Sequence, residues 1–461
     1  MTTQLPERLR ALAGEAPPAL STADLWQTGT RRHRMRLAAA LGTAACLVLA
    51  TLWLGNGVWR SRQPSPVAPP TTTTGQMAVP ERFFHPSPWL PGTSAPGRLV
   101  ALLGTTRDHF PFGDEKNAIV GVTAGSQAYH FLDLPGQAAD TDVALSPDGR
   151  HLAYWISGTP QGSARLGDRS TVGVANLDLT TGKVQRRVLP GRHGLAPSML
   201  TWTGNNRLAV ASDHFTSAEP TSYSGRTAVY VIFWKPGGAG DIRPADGSTP
   251  PVLFTRLAGT NVLAIPVAST RGYAGMVDHR VLRVYDANDT VKQTIRLSGQ
   301  LQSVAYDAER QRVAGNLGNP YGSGSTSGPL MVGSLAQRQS GQAYAQLSEV
   351  PGGRSYLYVL CWADAGHVVA EQLLATGEAF WVVDVHTGAR TTLTGTGYQR
   401  TGSSWFGVAL AGDALRHATM VAAIAPPRPW NPRWVAGGSL AALLLAGAVA
   451  LLVLRSRRVR R

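Results

Sequence analysis

Short β-rich runs broken by Gly, Asp, Asn and Pro recur through the middle of this 461-residue chain, and their spacing restricts the fold more than any other feature. One recurring element is a strand, a polar turn and a second strand: VALSPDGRHLAYW (143–155), MLTWTGNNRLAVA (199–211), SVAYDAERQRVAG (303–315) and VLCWADAGHVVAE (359–371). The other is a strand, an Asp, a turn and another strand, at 174–189, 282–297 and 381–393. In this second element Asp178, Asp286 and Asp384 precede Gly182, Thr290 and Gly388 by four residues. Turns of the first element begin near 146, 203, 306 and 363, with gaps of 57, 103 and 57 residues, so the middle gap has room for one degenerate copy at 261–297. Four strands every 50-odd residues is the pattern of a β-propeller blade. Each such sheet carries apolar residues on both faces and can bury them only between neighbours set around an axis. Residues 98–424, at about 54 per unit, predict six blades, and an extra strand ATMVAAI (418–424) leaves seven as the alternative. The opening strands LVALLG, AIVGVTA and AYHFLDL number three, so the late strand WFGVAL (405–410) is expected to complete their blade and close the ring.

The run Ser146-Pro147-Asp148-Gly149-Arg150-His151-Leu152-Ala153-Tyr154 resembles the SPDG(K/R)xLAF repeat of WD40-like, TolB-type propellers. Its turn has the chemistry that the repeat needs: Pro pre-sets φ, Asp bonds its own turn backbone, and Gly takes positive φ. The copies at 203, 306 and 363 depart from the motif, and the GH and WD pairs of WD40 proteins proper are missing. The resemblance covers 98–424 and implies an all-β propeller. It implies no activity, since propellers serve as enzymes, scaffolds and receptors.

Two uncharged stretches bracket the repeats. Leu37–Trp59 follows Arg31, Arg32, Arg34 and Arg36; Trp434–Leu454 precedes Arg455, Arg457, Arg458, Arg460 and Arg461. Each reaches the roughly 20 apolar residues that a bilayer requires. Positive flanks stay in the cytoplasm, which predicts both termini inside and the propeller outside. The first stretch reads as an uncleaved anchor rather than a signal peptide, because 30 residues precede its Arg cluster and no small-x-small site follows Trp59. The expected organisation is a cytoplasmic segment at 1–36, transmembrane helices at 37–59 and 434–454, a Pro/Thr-rich linker at 60–97 (QPSPVAPPTTTTG within it), the propeller at 98–424, a second linker at 425–433 and a basic tail at 455–461.

Charge agrees with a membrane partner better than with nucleic acid. Of a net +15, the segment 1–36 carries +3 and the tail +5, leaving +7 for the rest, and the middle region has no basic run interleaved with aromatics. Basic residues beside anionic lipid gain roughly 1 kcal/mol each. Only four of the 43 basic residues are Lys, a bias of GC-rich bacterial genomes. Cys46 lies in the first span and Cys361 in the outer region, so the topology excludes a disulfide between them.

Catalytic signatures are absent from the sequence. There is no HExxH, CxxC, GxSxG, P-loop or dinucleotide fingerprint, and no metal or cofactor is expected. Asp148, Asp178, Asp286 and Asp384, with Gly149, Gly182 and Gly388, recur with the fold and read as turn-forming residues rather than as calcium ligands or acid–base groups. Most of Trp155, Trp202, Trp234, Trp362, Trp381 and Trp405 are expected in the core between blades. In 1–36, Leu5, Leu9 and Leu12 share one helical face, and Ser21–Asp24 matches a capping box preceding Trp26. These are candidate contacts for a cytoplasmic regulatory protein. The layout resembles actinobacterial membrane proteins with a short N-terminal segment, one span and an extracytoplasmic domain, some of them anti-sigma factors or sensors, although the zinc signature of classical anti-sigma domains is missing. Small residues at every fourth position, including Gly42 and Cys46 in one span and Gly438 and Ala442 in the other, make the two spans candidates for close packing. The expected function is a binding, scaffold or sensor module at the cell envelope, with an envelope protein, peptide or glycan as ligand. A propeller hydrolase or lyase acting on cell-wall polymer and a structural assembly subunit are the alternatives.

Overall fold

The computed structural model describes residues 77–459 except 109–115, 140, 163–169, 203–206, 216, 219–225, 235–242, 245–272, 279, 286–290, 308, 318–327, 340–341, 353–354, 357, 375–376, 397–407, 417–418 and 430. The chain divides into two units, Ser65–Pro429 and a second drawn from both ends, Met1–Pro64 with Trp430–Arg461.

The larger unit is almost all strand. It opens with three short strands, β1 (Ala78–Pro80), β2 (Arg82–Phe83) and β3 (Gly92–Thr93). Antiparallel groups follow in chain order. The first holds β4 (Leu99–Arg107), β5 (Lys116–Thr123) and β6 (Tyr129–Leu132); the second, β7 (Val143–Leu145), β8 (His151–Ser157), β9 (Thr171–Asp178) and β10 (Val184–Val188). The third comprises β11 (Leu195–Trp202), β12 (Leu208–Phe215), β13 (Arg226–Trp234) and β14 (Arg243–Pro244), and the fourth β15 (Tyr273–Asp278), β16 (Val281–Tyr285) and β17 (Val291–Leu297). The fifth has β18 (Leu301–Asp307), β19 (Arg312–Leu317) and the long β20 (Gly328–Gln339), with β21 (Gln342–Ala345), β22 (Ser348–Glu349) and β23 (Ser355–Tyr356) attached to it. The sixth is β24 (Tyr358–Trp362), β25 (His367–Leu374), β26 (Gly377–Asp384) and β27 (Arg390–Thr396). The chain then runs through β28 (Val408–Leu410), the short helix α1 (Gly412–Arg416), β29 (Thr419–Val421) and helix α2 (Pro432–Val459).

Side-chain alternation explains how these groups stack. Successive residues of a strand point to opposite faces. In β8, Leu152, Tyr154 and Ile156 join a core with Leu99, Leu102 and Ile119 of the first group. The intervening Ala153 and Trp155 join a different core with Leu200, Trp202 and Val210 of the third. The fifth group behaves alike: Val304, Tyr306 and Val313 pack with Leu282 and Ile295 of the fourth, while Ala305 and Ala314 pack with Val359, Val368 and Ala370 of the sixth. Val100, Leu103, Val120 and Val122 of the first group meet Val369, Phe380 and Leu393 of the sixth. Small sheets apolar on both faces and packed face to face in succession are the arrangement of a β-propeller.

The first group is completed from the other end of the chain. β28 pairs antiparallel with β4, placing Val408 opposite Leu103 and Leu410 opposite Ala101. The buried Glu378 of β26 accepts the Val408 N–H at 2.9 Å, so a carboxylate of the sixth group holds the closing strand. Beside it, β29 runs parallel to β1. Gln127 secures the exit segment: with φ of +53°, its side-chain amide donates to the Ala422 carbonyl and accepts the Ile424 N–H, both at 2.9 Å. The strand expected at 418–424 is therefore a partner of β1.

One expectation needs correction. Residues 77–97 are folded structure and not linker. Met77, Val79, Phe83 and Leu90 are buried in the core shared by the first and sixth groups. β2 lies parallel on β27 and β3 parallel on β6, so the segment is a strap over two outer sheet edges. Two-residue strands separated by Pro carry no apolar period, which is why composition alone reads as linker.

In the smaller unit, α2 runs for 28 residues, and Trp434, Leu440, Leu444, Leu445 and Leu451 are each more than half exposed. Among the described residues no helix is long and apolar enough to cross a membrane. The helical backbone itself continues to Val459. The first expected span, with Gly42 and Cys46, lies outside the described residues.

Trp155 is fully buried between the second and third groups, so Trp155→Ala is expected to cost about 4 kcal/mol. Val188, two-thirds exposed, should change by less than about 0.5 kcal/mol when replaced by Ala. Thermal unfolding of the two variants beside the wild type checks the stacking; equal midpoints for both would contradict it.

Candidate functional site

The recurring aspartates build turns. Asp178 Oδ1 accepts the N–H of Thr180 at 2.8 Å and of Thr181 at 3.1 Å, and the Gly182 N–H donates to the Asp178 carbonyl at 2.8 Å with φ of +74°. Asp384 repeats the turn: its Oδ1 accepts from His386 at 2.8 Å and Thr387 at 2.9 Å, and Gly388, at φ +70°, donates to its carbonyl. Asp148 Oδ1 takes the Ser146 hydroxyl at 2.6 Å and the Arg150 N–H at 3.1 Å, while Gly149 stands at φ +69°. Asp286 lies outside the described residues. Gly149 and Gly388 are required twice over. Their φ suits glycine, and a Cβ would collide with the carbonyl oxygen of Leu99 or of Pro351 respectively.

A second set of contacts joins one group to the next at this turn end. The Trp202 indole N–H donates to the Ala144 carbonyl at 2.9 Å and the Trp362 indole N–H to the Ala305 carbonyl at 3.1 Å, each reaching back from the first strand of one group to that of the preceding one. The residue that opens the preceding group's second strand covers the ring: His151 lies 5.9 Å from Trp202 between centroids, and the Arg312 guanidinium 3.9 Å above Trp362. Arg312 also bonds the Ala365 carbonyl and, at 2.7 Å, the nearly buried Asp307 carboxylate, which receives Arg310 at 3.4 Å as well. The chain of charges continues through the sixth group, where the His367 Nδ1 meets Asp364 Oδ1 at 2.8 Å and its Nε2 lies 3.7 Å from Asp384 Oδ2.

Electrostatics keeps these carboxyls ionised. Burial alone would raise Asp307, yet the bonds from Arg312 and Arg310 outweigh it and hold the carboxyl below its ordinary value. Asp178 and Asp364 show the same balance, with turn N–H groups and a neighbouring histidine overcoming burial. Asp384 is lowered chiefly by the Thr387 and His386 N–H groups. Their oxygens are thus engaged by their own turns. Among the described residues no group of three His, Cys, Asp or Glu side chains is placed to hold a metal ion. The cluster offers a polar, partly exposed ridge, with Arg310, His367 and Asp364 about half exposed, suited to contact with a ligand surface.

Other expected site residues are scattered or undescribed. Leu5, Leu9, Leu12 and Trp26 lie outside the described residues. Gly438 and Ala442 lie on α2, where Ala442 is exposed and a Cβ built on Gly438 meets nothing among the described residues within 4 Å. Sequence reasoning missed Glu378, Gln127 and the buried pair Ser303–Asn316, in which the Ser303 hydroxyl oxygen accepts the Val359 N–H at 2.7 Å and Asn316 donates to the Tyr356 carbonyl at 3.1 Å. For Glu378, Ser303 and Asn316 a polar residue in a buried strand position was the available signal.

No family model and no curated protein matches the sequence. Solved structures similar to it include TolB from Acinetobacter baumannii, 13% identical over 65% of this chain and 65% of TolB, with a TM-score of 0.32. Dihydro-heme d1 dehydrogenase NirN is 12% identical over 76% of this chain and 80% of its own, with a TM-score of 0.32. The β-propeller domain of the Trilobed protease from Pyrococcus furiosus is 11% identical over 66% and 68%, with a TM-score of 0.24. At these scores the propeller assignment rests on the pairing and packing above.

Acid should loosen these turns. The carboxyls are held below the roughly 3.9 of an unfolded aspartate, so their contribution is complete above about pH 5 and is lost as pH falls through their lower folded values. Asp307→Asn is expected to cost about 2 kcal/mol at pH 7 and to flatten the fall in melting temperature between pH 6 and 3, which a pH series of thermal melts measures. Gly388→Ala should cost about 2 kcal/mol at any pH, from strained φ and the clash at Pro351.

Proposed function

We propose that the chain is a membrane-anchored β-propeller of six blades, one for each antiparallel group, that binds an envelope protein, peptide or glycan outside the membrane. The observation that carries this reading is α2: large apolar side chains exposed around a 28-residue helix, in a sequence uncharged from 434 to 454 and followed by five arginines. At 1.5 Å per residue a 28-residue helix is about 42 Å long, against a hydrocarbon core of about 30 Å. Arginines at its end favour a cytoplasmic C-terminus. Binding fits the turn-end ridge better than catalysis does, because its carboxylates are committed to their own turns. Residues 1–36 would then offer Leu5, Leu9, Leu12 and Trp26 to a cytoplasmic regulatory protein.

Reporter fusions at 30, 250 and 461 are expected to read cytoplasmic, external and cytoplasmic. The full chain should also resist extraction from membranes by alkaline carbonate. An external signal at 461, or release by carbonate, would overturn the anchored arrangement.

A further inference from the structure

Three outer sheet edges carry an extra short strand that runs parallel to the edge it covers: β3 on β6, β2 on β27 and β21 on β17. In the second group the corresponding outer strand, β10, pairs only with β9 among the described residues. The strap stops just short of it. After covering β27 and β6, it passes Ser94 against Gly182 and turns inward at Gly97, whose N–H donates to the Leu179 carbonyl. We propose that β10 is the docking edge for an extended acidic peptide of a partner protein, which adds as a strand parallel to it. The inference stands on the edge itself and does not depend on the turn-end ridge.

Hydrogen-bond register defines what the edge presents. The Lys183 carbonyl accepts from Asp178 and the Leu189 N–H donates to Val172, so the odd-numbered backbone groups face β9. In an antiparallel pair the alternate residues face the other way. Val184, Arg186 and Val188 therefore turn their N–H and C=O groups outward, the template that an added strand uses. Arg186 and Val188 are exposed, and Arg186 is steadied along the edge by a 3.1 Å bond to the Pro135 carbonyl. Charge selects the occupant. From Leu179 to Val188, the turn and strand that form this edge, there is no Asp or Glu, while Lys183, Arg186 and Arg187 lie in that stretch. The same charges disfavour pairing with the β10 of a second copy.

The test uses the full chain in detergent and an eight-residue peptide of alternating Thr and Glu, with alternating Thr and Lys as control. Amide exchange at Val184, Arg186 and Val188 is expected to slow with the Glu peptide and not with the Lys peptide. Arg186→Pro removes one outward N–H and no bond to β9, and should weaken binding about tenfold or more. Should that variant prove unstable, R186E/R187E keeps the backbone and is expected to abolish binding of the Glu peptide. Failure of the Glu peptide to protect those amides, or equal protection by the Lys peptide, overturns the proposal. So does binding of phosphatidylglycerol vesicles that R186E/R187E abolishes and Arg186→Pro does not, because the stretch would then be a lipid-contact patch.

Discussion

The first, second, fifth and sixth groups of this domain are apolar on both faces, and that constraint decides the rest of the structure. A single group, such as β7–β10, exposes Leu152 and Tyr154 on one side and Trp155 on the other, and neither face can be left in water. Burying a large side chain is worth roughly 1.5 to 3 kcal/mol, so a group of this kind gains its stability from two neighbours. The terminal groups of such a stack face the same demand, which is why the closing strand matters. β28 binds β4, Glu378 holds the Val408 N–H, and Met77, Val79 and Phe83 of the strap fill the seam between the first and sixth groups.

Apolar packing alone would let one group slide against the next, and the polar contacts remove that freedom. The indole N–H of Trp202 and of Trp362 each finds the carbonyl of a defined residue, 58 and 57 positions back. Those separations lie within one residue of the 57-residue gaps between the sequence turns. The tilted His151 ring or the Arg312 guanidinium then lies against the ring from the preceding group. A buried N–H without a partner costs on the order of 1 to 3 kcal/mol, so registers that break these bonds are disfavoured individually and repeatedly. Ser303, Asn316 and Glu378 act in the same way on strand amides.

Much of this was readable from residues. Asp178 with Gly182, Asp384 with Gly388, and Asp148 with Gly149 are short-range patterns, in which a carboxylate caps its own turn and glycine takes positive φ. Local chemistry of that kind survives in any tertiary setting. The alternation in HLAYWIS is likewise local, and it marks a strand buried on both faces. What escaped was non-local. Nothing near Glu378 in the sequence announces the Val408 N–H, and nothing near Gln127 announces Ala422 and Ile424, nearly 300 residues away. The strap was hidden for a related reason: β2 and β3 are two residues long and owe their conformation to the edges that they cover.

The distribution of committed and uncommitted groups narrows where binding can occur. Interior faces are consumed by packing, and the aspartates of the turn end are consumed by their own backbones. Edges β6, β27 and β17 are consumed by strands of the same chain. A ligand must therefore use surfaces that the fold does not need for itself, and the Arg310–Asp364–His367 ridge and the outer edge of β10 are two of these. The two differ in kind. The ridge offers side chains of both signs, whose attraction for a partner weakens with salt. The edge offers backbone hydrogen bonds that salt leaves largely intact, with basic side chains that choose among peptides capable of forming them.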